Sequence, residues 1–333
     1  MSKNLAFPDP AALKTTRAEV FSRLKGSLGR LAFDLLAEHA PVPVAPAAFE
    51  AWFEAMDQPP PSVFAVHAVL LDVALKENWT LAPQALSQLQ AMMELQPSRQ
   101  SSAPCVTSFS VSDMEDIELE VLTFAYQDDV GYLTNLVGST NAETEEATSL
   151  IGQALDILEH QAPCWHAELL LLTNHFFLAS PPAGAALSFG GASVFDAYGS
   201  VLVNPRMLRD IPSTLMTLIH ESSHQHMFLF HLDDPILLNP PEATFSSPLR
   251  SEPRPMEGIF HALWVSAREA LMAEALLMAC GQAPWHDELM QRQAKSLSAF
   301  HDLEAMVREH AVFTDLGSRL FADVRDAIHG LKR

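Results

Sequence analysis

The sequence predicts an α+β fold that is mostly α. An α-helical N-terminal layer precedes a small sheet, and beside the sheet lies a helix carrying His-Glu-x-x-His. Three observations predict this. Apolar residues recur at helical spacing through the first hundred positions. Two short apolar runs bounded by proline then read as strands. The apolar run 215–229 is interrupted by His220-Glu221-Ser222-Ser223-His224.

Taken in order, residues 11–39 form an amphipathic helix that stops before Pro41. A Pro/Ala-rich linker leads to a short helix at Phe49-Glu50-Ala51-Trp52-Phe53, broken again by Pro59-Pro60-Pro61. Residues 62–77 place Val63, Val66, Leu70 and Val73 on one helical face, and 82–95 form a further helix closed by Pro97. Residues 98–104 read as a polar loop, and the acidic run 113–120 as a solvated face. Residues 140–160 are helical, with a capped acidic start and a stripe of Ile151, Leu155 and Leu158. The run from Glu168 to Leu178 reads as one buried strand, and 199–203 as a second, ended by Asn204-Pro205. The His-Glu-x-x-His helix opens near Ile211-Pro212-Ser213. A long Pro-rich irregular segment, 235–255, follows it. Helices at 256–280, 287–312 and 315–331 close the chain. The predicted division falls near residue 130: residues 1–130 form the α-helical region, assigned to peptide recognition, and 131–333 the zincin-like metal-binding catalytic region.

Composition narrows the partners. With 333 residues, 48% of them apolar, the chain can bury a sizeable core. A formal charge of −21 argues against nucleic acid and anionic membranes. No apolar stretch is long enough to span a bilayer and no secretory signal core is present, so a cytoplasmic location is expected. Cys105, Cys164 and Cys280 form no CxxC pair and read as buried, reduced thiols.

The pentapeptide carries the chemistry. Residues four apart on a helix lie one above the other, so His220 and His224 can aim ring nitrogens at one ion, with Glu221 beside them. Isolated matches to such a short pattern recur by chance. Here two imidazoles sit in a hydrophobic helix, where burial without partners is costly. Strands leading into such a helix are the general layout of zincin-type domains. A third ligand is needed. His226 faces elsewhere, and His231, eleven positions past His220, lies roughly 16 Å along the axis. Met227 stands where a metzincin needs glycine. Glu257 and Glu269 are formally available, as are Glu242 and Glu252 in the loop, but His261 in the next helix is the stronger candidate. Arg268 is seven positions on from His261 and Arg254 seven before it. An arginine near a metal suits a carboxylate-bearing ligand, although either could instead pair with Glu252, Glu257 or Glu269.

In these residues the chain resembles the HExxH-type, 2-oxoglutarate-dependent peptide β-hydroxylases that act on ribosomally made, modified peptides. The matching residues are Phe195 to Asn204 with Gly199, His220-Glu221-Ser222-Ser223-His224, Ser247-Pro248-Leu249-Arg250, Arg254-Pro255 and Gly258-Ile259-Phe260-His261-Ala262. The resemblance covers roughly the C-terminal half. It implies Fe(II) held by His220, His224 and His261, with positions left for 2-oxoglutarate and O₂. It also implies a cation for the far carboxylate of the cosubstrate, Arg254 or Arg268, with Arg250 a further candidate in the matched segment. The expected reaction is hydroxylation of a β-carbon in a precursor peptide, coupled to decarboxylation of 2-oxoglutarate. A three-histidine set departs from the usual 2-His-1-carboxylate triad of iron oxygenases, and imidazole suits zinc as well as iron. The second reading is therefore a zinc peptidase in which Glu221 is the general base. A third is a peptide-binding scaffold with a vestigial motif.

Overall fold

A computed structural model of the chain describes residues 3–95, 104–127, 135–184 and 189–331, with the side chains of Arg250 and Ser251 outside that description. The protein is mostly helical with a small mixed sheet, an α+β architecture. It divides into two compact units, each built from separated segments: Lys14–Glu146 with Thr173–Arg206, and Met1–Leu13 with Ala147–Leu172 and Met207–Arg333. The sequence predicted a single cut near 130, a position that itself lies outside the described residues.

In the first of these units, α1 (Pro10–Arg30) enters and ends in a π-helical turn and a 3₁₀ turn, Leu31–Leu35 and Leu36–Glu38. Then come α2 (Pro46–Glu54), α3 (Pro61–Leu75) and α4 (Ala82–Glu94). All three have proline in the first turn, where its missing N–H is no loss and its fixed φ suits the helix. The prolines that read as breaks are thus also starts. Helix α3 is the centre of this layer, buried from Pro61 to Ala65 and packed on α4 and on α5 (Asp116–Ala125). The acidic run opens α5, and one of its members is not simply solvated: Glu118 accepts a hydrogen bond from Ser62 at 3.1 Å.

Five strands complete the unit: β1 (Cys105–Ser108), β2 (Val137–Gly138), β3 (His175–Ser180), β4 (Gly191–Ala192) and β5 (Ser200–Val203). Their order is β1-β3-β5-β4. Strands β1 and β5 run parallel to β3, β4 is antiparallel to β5, and β2 pairs with the end of β3. Strand β5 is buried throughout and β3 after its first residue, as expected of inner parallel strands. Gly199 enters β5 at φ +92°, a conformation that suits a residue without a Cβ. Two expectations need correcting. Strand β1 falls within residues 1–130, the region expected to be α-helical. The run Glu168–Leu178 is also not one strand: α7 (Pro163–Leu172) takes its leucines, with Trp165, Leu169 and Leu172 buried on one helical face, and β3 begins only at His175.

The second unit receives α6 (Asn141–Gln161), which starts outside it. The predicted cap is present: Glu143 accepts from the Thr140 backbone at 2.9 Å, and its own N–H reaches Thr140 Oγ1 at 3.3 Å. The unit contains α7, α8 (Ile211–Phe230), a hairpin of β6 (Thr244–Ser247) and β7 (Arg250–Pro255), α9 (Met256–Ala279), α10 (His286–His310) and α11 (Asp315–His329). Helix α9 is central and packs against α8, α10 and α11. The segment predicted to be irregular, 235–255, therefore contains a hairpin. Among the described residues, the unit that holds the His-Glu-x-x-His helix has β6–β7 as its sheet; the five strands belong to the other unit. All three cysteines are free, but Cys105 and Cys164 are exposed rather than buried. Among the described residues no helix is long and apolar enough to cross a membrane.

Candidate metal centre

Helix α8 begins at a capping box. Asp210 Oδ1 accepts from the Ser213 N–H at 2.7 Å, and Ser213 Oγ accepts from the Asp210 N–H at 3.0 Å. Pro212 lies in the first turn, and residues on almost every side are buried down to Leu229. The helix is thus held along its length before its histidines are considered.

His220 and His224 form a row with two further histidines, His261 and His231, through three ring contacts. The rings of His220 and His224 are 5.0 Å apart, those of His224 and His261 5.8 Å and stacked, and those of His261 and His231 5.4 Å. His220 and His224 come from α8, His231 from its C-cap, and His261 from the second turn of α9. His220 Nδ1 donates to Glu269 Oε1 at 2.8 Å, and Glu269 Oε2 accepts from Ser296 Oγ at 2.6 Å. A carboxylate on Nδ1 fixes the tautomer, leaving Nε2 as the lone-pair nitrogen, which is how metal-binding histidines are usually buttressed. Desolvation favours the neutral form of His224, His261 and His231. It drives His224 well below the ordinary histidine range, helped by the neighbouring His220, His261 and Arg254. It pushes His261 down to about 3, with His231 and Arg254 acting the same way. His231 is also lowered by burial, against the pull of Glu257 and Asp234. Neutral imidazoles are ready ligands, with no proton to displace.

The predicted residues divide three ways. His220, His224 and His261 are brought into one row, and Glu221 is buried on the same helix, 3% exposed. Arg254 arrives from β7 beside them. Its guanidinium lies across the start of α9, 3.4 Å from where a Cβ on Gly258 would stand, and its charge is felt by both His224 and His261. Arg268 does not join them. It is 1% exposed, donating from Nε to Ser223 Oγ at 3.1 Å, from Nη1 to the Ala6 carbonyl at 2.9 Å, and from Nη2 to Glu168. Trp165 and Trp264 flank its guanidinium at 4.7 and 5.9 Å. Each of its nitrogens is engaged inside the core, and of the two arginines expected to face a cosubstrate it is Arg254 whose charge reaches both His224 and His261. The partner of Arg268 is Glu168, which none of the expected pairings included. Burial is the largest single influence on the Glu168 carboxyl and would raise it, but Arg268, His226 and the Asp9 N–H together outweigh it and the net shift is downward. The Arg250 side chain lies outside the described residues; its backbone pairs with Ser247 in the hairpin.

Ligand-atom spacing separates the row into its ends. Among the described residues, two groups of three bring their ligand atoms within 4.8 Å of one another: His231, Glu257 and His261, and His301, Glu304 and His329. The set His220, His224 and His261 is not one of them; His261 Nε2 lies 3.3 Å from His231 Nε2. Sequence reasoning measured His231 against His220, from which it is distant, and not against His261. The usable signal was Glu257-x-x-x-His261, a pair four apart on one helical face. No protein-family model matches this chain, and no curated protein matches it either.

Proposed function

We propose that the protein is an Fe(II)- and 2-oxoglutarate-dependent oxygenase that hydroxylates a β-carbon in a ribosomally made peptide. The observation that carries this reading is the juxtaposition of neutral imidazoles with the cationic Arg254, a combination that suits a metal chelated by a carboxylate-bearing cosubstrate. The donor chemistry fits a divalent first-row metal. His220 and His224 would hold it with His261 as third ligand, and Glu269 would keep the His220 ring turned with Nε2 toward the ion. Bound iron and 2-oxoglutarate supply the activation of O₂. Arg254 would take the far carboxylate of the cosubstrate through its planar fork. Recognition of the peptide by residues 1–130 belongs to the same proposal. It is tested by hydrogen exchange on the full chain, which should show protection in α2–α4 when peptide is added.

The test of the central reading is anaerobic. Fe(II) and then 2-oxoglutarate are added to metal-stripped protein and the visible difference spectrum is recorded. A charge-transfer band that requires both additions is expected. No band, together with stoichiometric zinc in the isolated protein, would replace this reading with the zinc peptidase. Glu221, buried beside His220, is the observation that favours that second reading. Glu221→Gln should abolish a peptidase and leave the iron–cosubstrate band of an oxygenase in place.

A further inference from the structure

His231 caps the C-terminus of α8, while Glu257 and His261 stand one turn apart at the start of α9. Two helix ends therefore converge on one point from different directions. The two Nε2 atoms are 3.3 Å apart, and a Glu257 carboxylate oxygen lies within 4.8 Å of a ring nitrogen of each histidine. Tetrahedral nitrogen and oxygen ligands about 2.0–2.2 Å from a metal are themselves separated by roughly 3.3–3.6 Å. The imidazole pair already has that spacing. Glu257 is exposed, so a side-chain rotation can bring its oxygen the remaining distance without moving the core.

The other three-residue group has similar spacing but different electrostatics. Glu304 Oε1 accepts from Arg308 at 2.5 Å and from Arg325 at 2.9 Å, so a dication beside it would face two guanidinium groups. That cluster is an ion-pair node joining α10 to α11. Glu257 has no ion pair among the described residues, and it stands in the first turn of α9 with no guanidinium bonded to it.

We propose that His231, Glu257 and His261 form a divalent transition-metal site, a 2-His-1-carboxylate set at the far end of the histidine row from His220. Two imidazoles and one carboxylate with coordination positions left open are the donor set of non-haem iron oxygenases, and the same atoms accept Co(II) or Zn(II). The inference rests on the oxygenase reading only for the identity of the native metal. It claims His261 for this set, so it competes with the assignment of His261 as third ligand to His220 and His224, and it restores the usual 2-His-1-carboxylate triad. In this arrangement His261 Nε2 belongs with His231, and His224 stacks behind the His261 ring as a neighbour.

The experiment is a titration of the metal-stripped full-length protein with Co(II) alone, followed by its visible absorption, with circular dichroism as a check of folding. Glu257→Gln changes an exposed side chain and should leave the fold intact; His231→Gln is the second variant. Each is expected to raise the Co(II) dissociation constant by more than about 100-fold, beyond the 10–100-fold that losing an outer-shell partner costs. Both variants binding Co(II) as the parent does would overturn the proposal. The double variant His220→Ala/His224→Ala reads the other set separately. If it still binds within about tenfold of the parent, the change is that of outer-shell neighbours and the new site stands. If it loses the ion while Glu257→Gln and His231→Gln keep it, the His220–His224 set stands and this inference fails. A parent protein that takes up no Co(II) would refute both.

Discussion

Replacing Glu168 by Gln tests whether the His-Glu-x-x-His helix is locked from behind by a buried ion pair. The substitution keeps the size of the side chain and removes its charge. Arg268 would retain its hydrogen bonds to Ser223 and Ala6 and its two tryptophan neighbours, but it would be a buried cation without a counter-ion. Guanidinium cannot escape by losing its proton. Breaking a buried pair from one side costs about 3–5 kcal/mol, and since the tryptophans still stabilise the cation we expect the lower end, about 3 kcal/mol. That is a loss of roughly 100-fold in the folding equilibrium. Urea unfolding at pH 7 followed by tryptophan fluorescence is the assay, because Trp165 and Trp264 flank the guanidinium. The double variant Glu168→Leu/Arg268→Met should recover part of the loss, since removing both charges leaves nothing unpaired. Stability of Glu168→Gln within about 0.5 kcal/mol of the parent, the range of an ordinary surface change, would refute the reasoning.

Three further outcomes follow from other parts of the molecule. Burial pushes His67 and His175 down to about 4 in the fold, whereas the unfolded chain takes up those protons near pH 6.5. Stability should therefore fall as pH drops from 6.5 to 4, by up to roughly 3 kcal/mol for each, and thermal denaturation at stepped pH should show a flatter slope in His67→Leu. A Cβ at residue 317 would run into the Ile236 carbonyl oxygen, so Gly317→Ala must push two backbones apart. A loss above about 2 kcal/mol by urea unfolding is expected, and a neutral result would mean that the two segments separate easily. Arg254→Met should raise the 2-oxoglutarate concentration needed for the iron charge-transfer band at least about tenfold, the scale of one charge-assisted hydrogen bond, and leave the Fe(II) affinity unchanged. Equal 2-oxoglutarate dependence would remove Arg254 from that role.

Helices were the legible part of the sequence because their signals are local. The stripe of Val63, Val66, Leu70 and Val73, the Thr140–Glu143 cap and the opening at Pro212 each lie within a few residues. The leucines of 169–172 were misread because a fully apolar run carries no periodicity, and Pro163, which starts α7, was taken only as a boundary. Strand β1 is four residues long and is defined by its pairing with β3, seventy positions away in sequence, so nothing near Cys105 announces it. The same limit governs the site. His220 and His224 were readable from their spacing on one helix. That His261 turns to His231 depends on how α8 and α9 cross, and that Arg268 turns to Glu168 depends on α7.

The two faces of α8 show why its histidines can be held for chemistry. Ser223 and His226 turn toward the buried charges: Ser223 accepts from Arg268, and His226 Nδ1 lies 3.9 Å from Glu168. His220 and His224 turn toward α9, where His261 stacks on one and Glu269 holds the other. A helix carrying partly exposed imidazoles on one side gains little from burying that side. It needs its position fixed from the opposite side, and a buried pair with directional hydrogen bonds fixes rotation and register more sharply than apolar contact does. Arg268 also reaches the Ala6 carbonyl, and the Asp9 N–H donates to Glu168 at 3.2 Å, so the first residues of the chain belong to the same lock. Arg268 is tied in this way to Ser223, one residue before His224, and through Ala6 and Glu168 to the first residues of the chain and to α7.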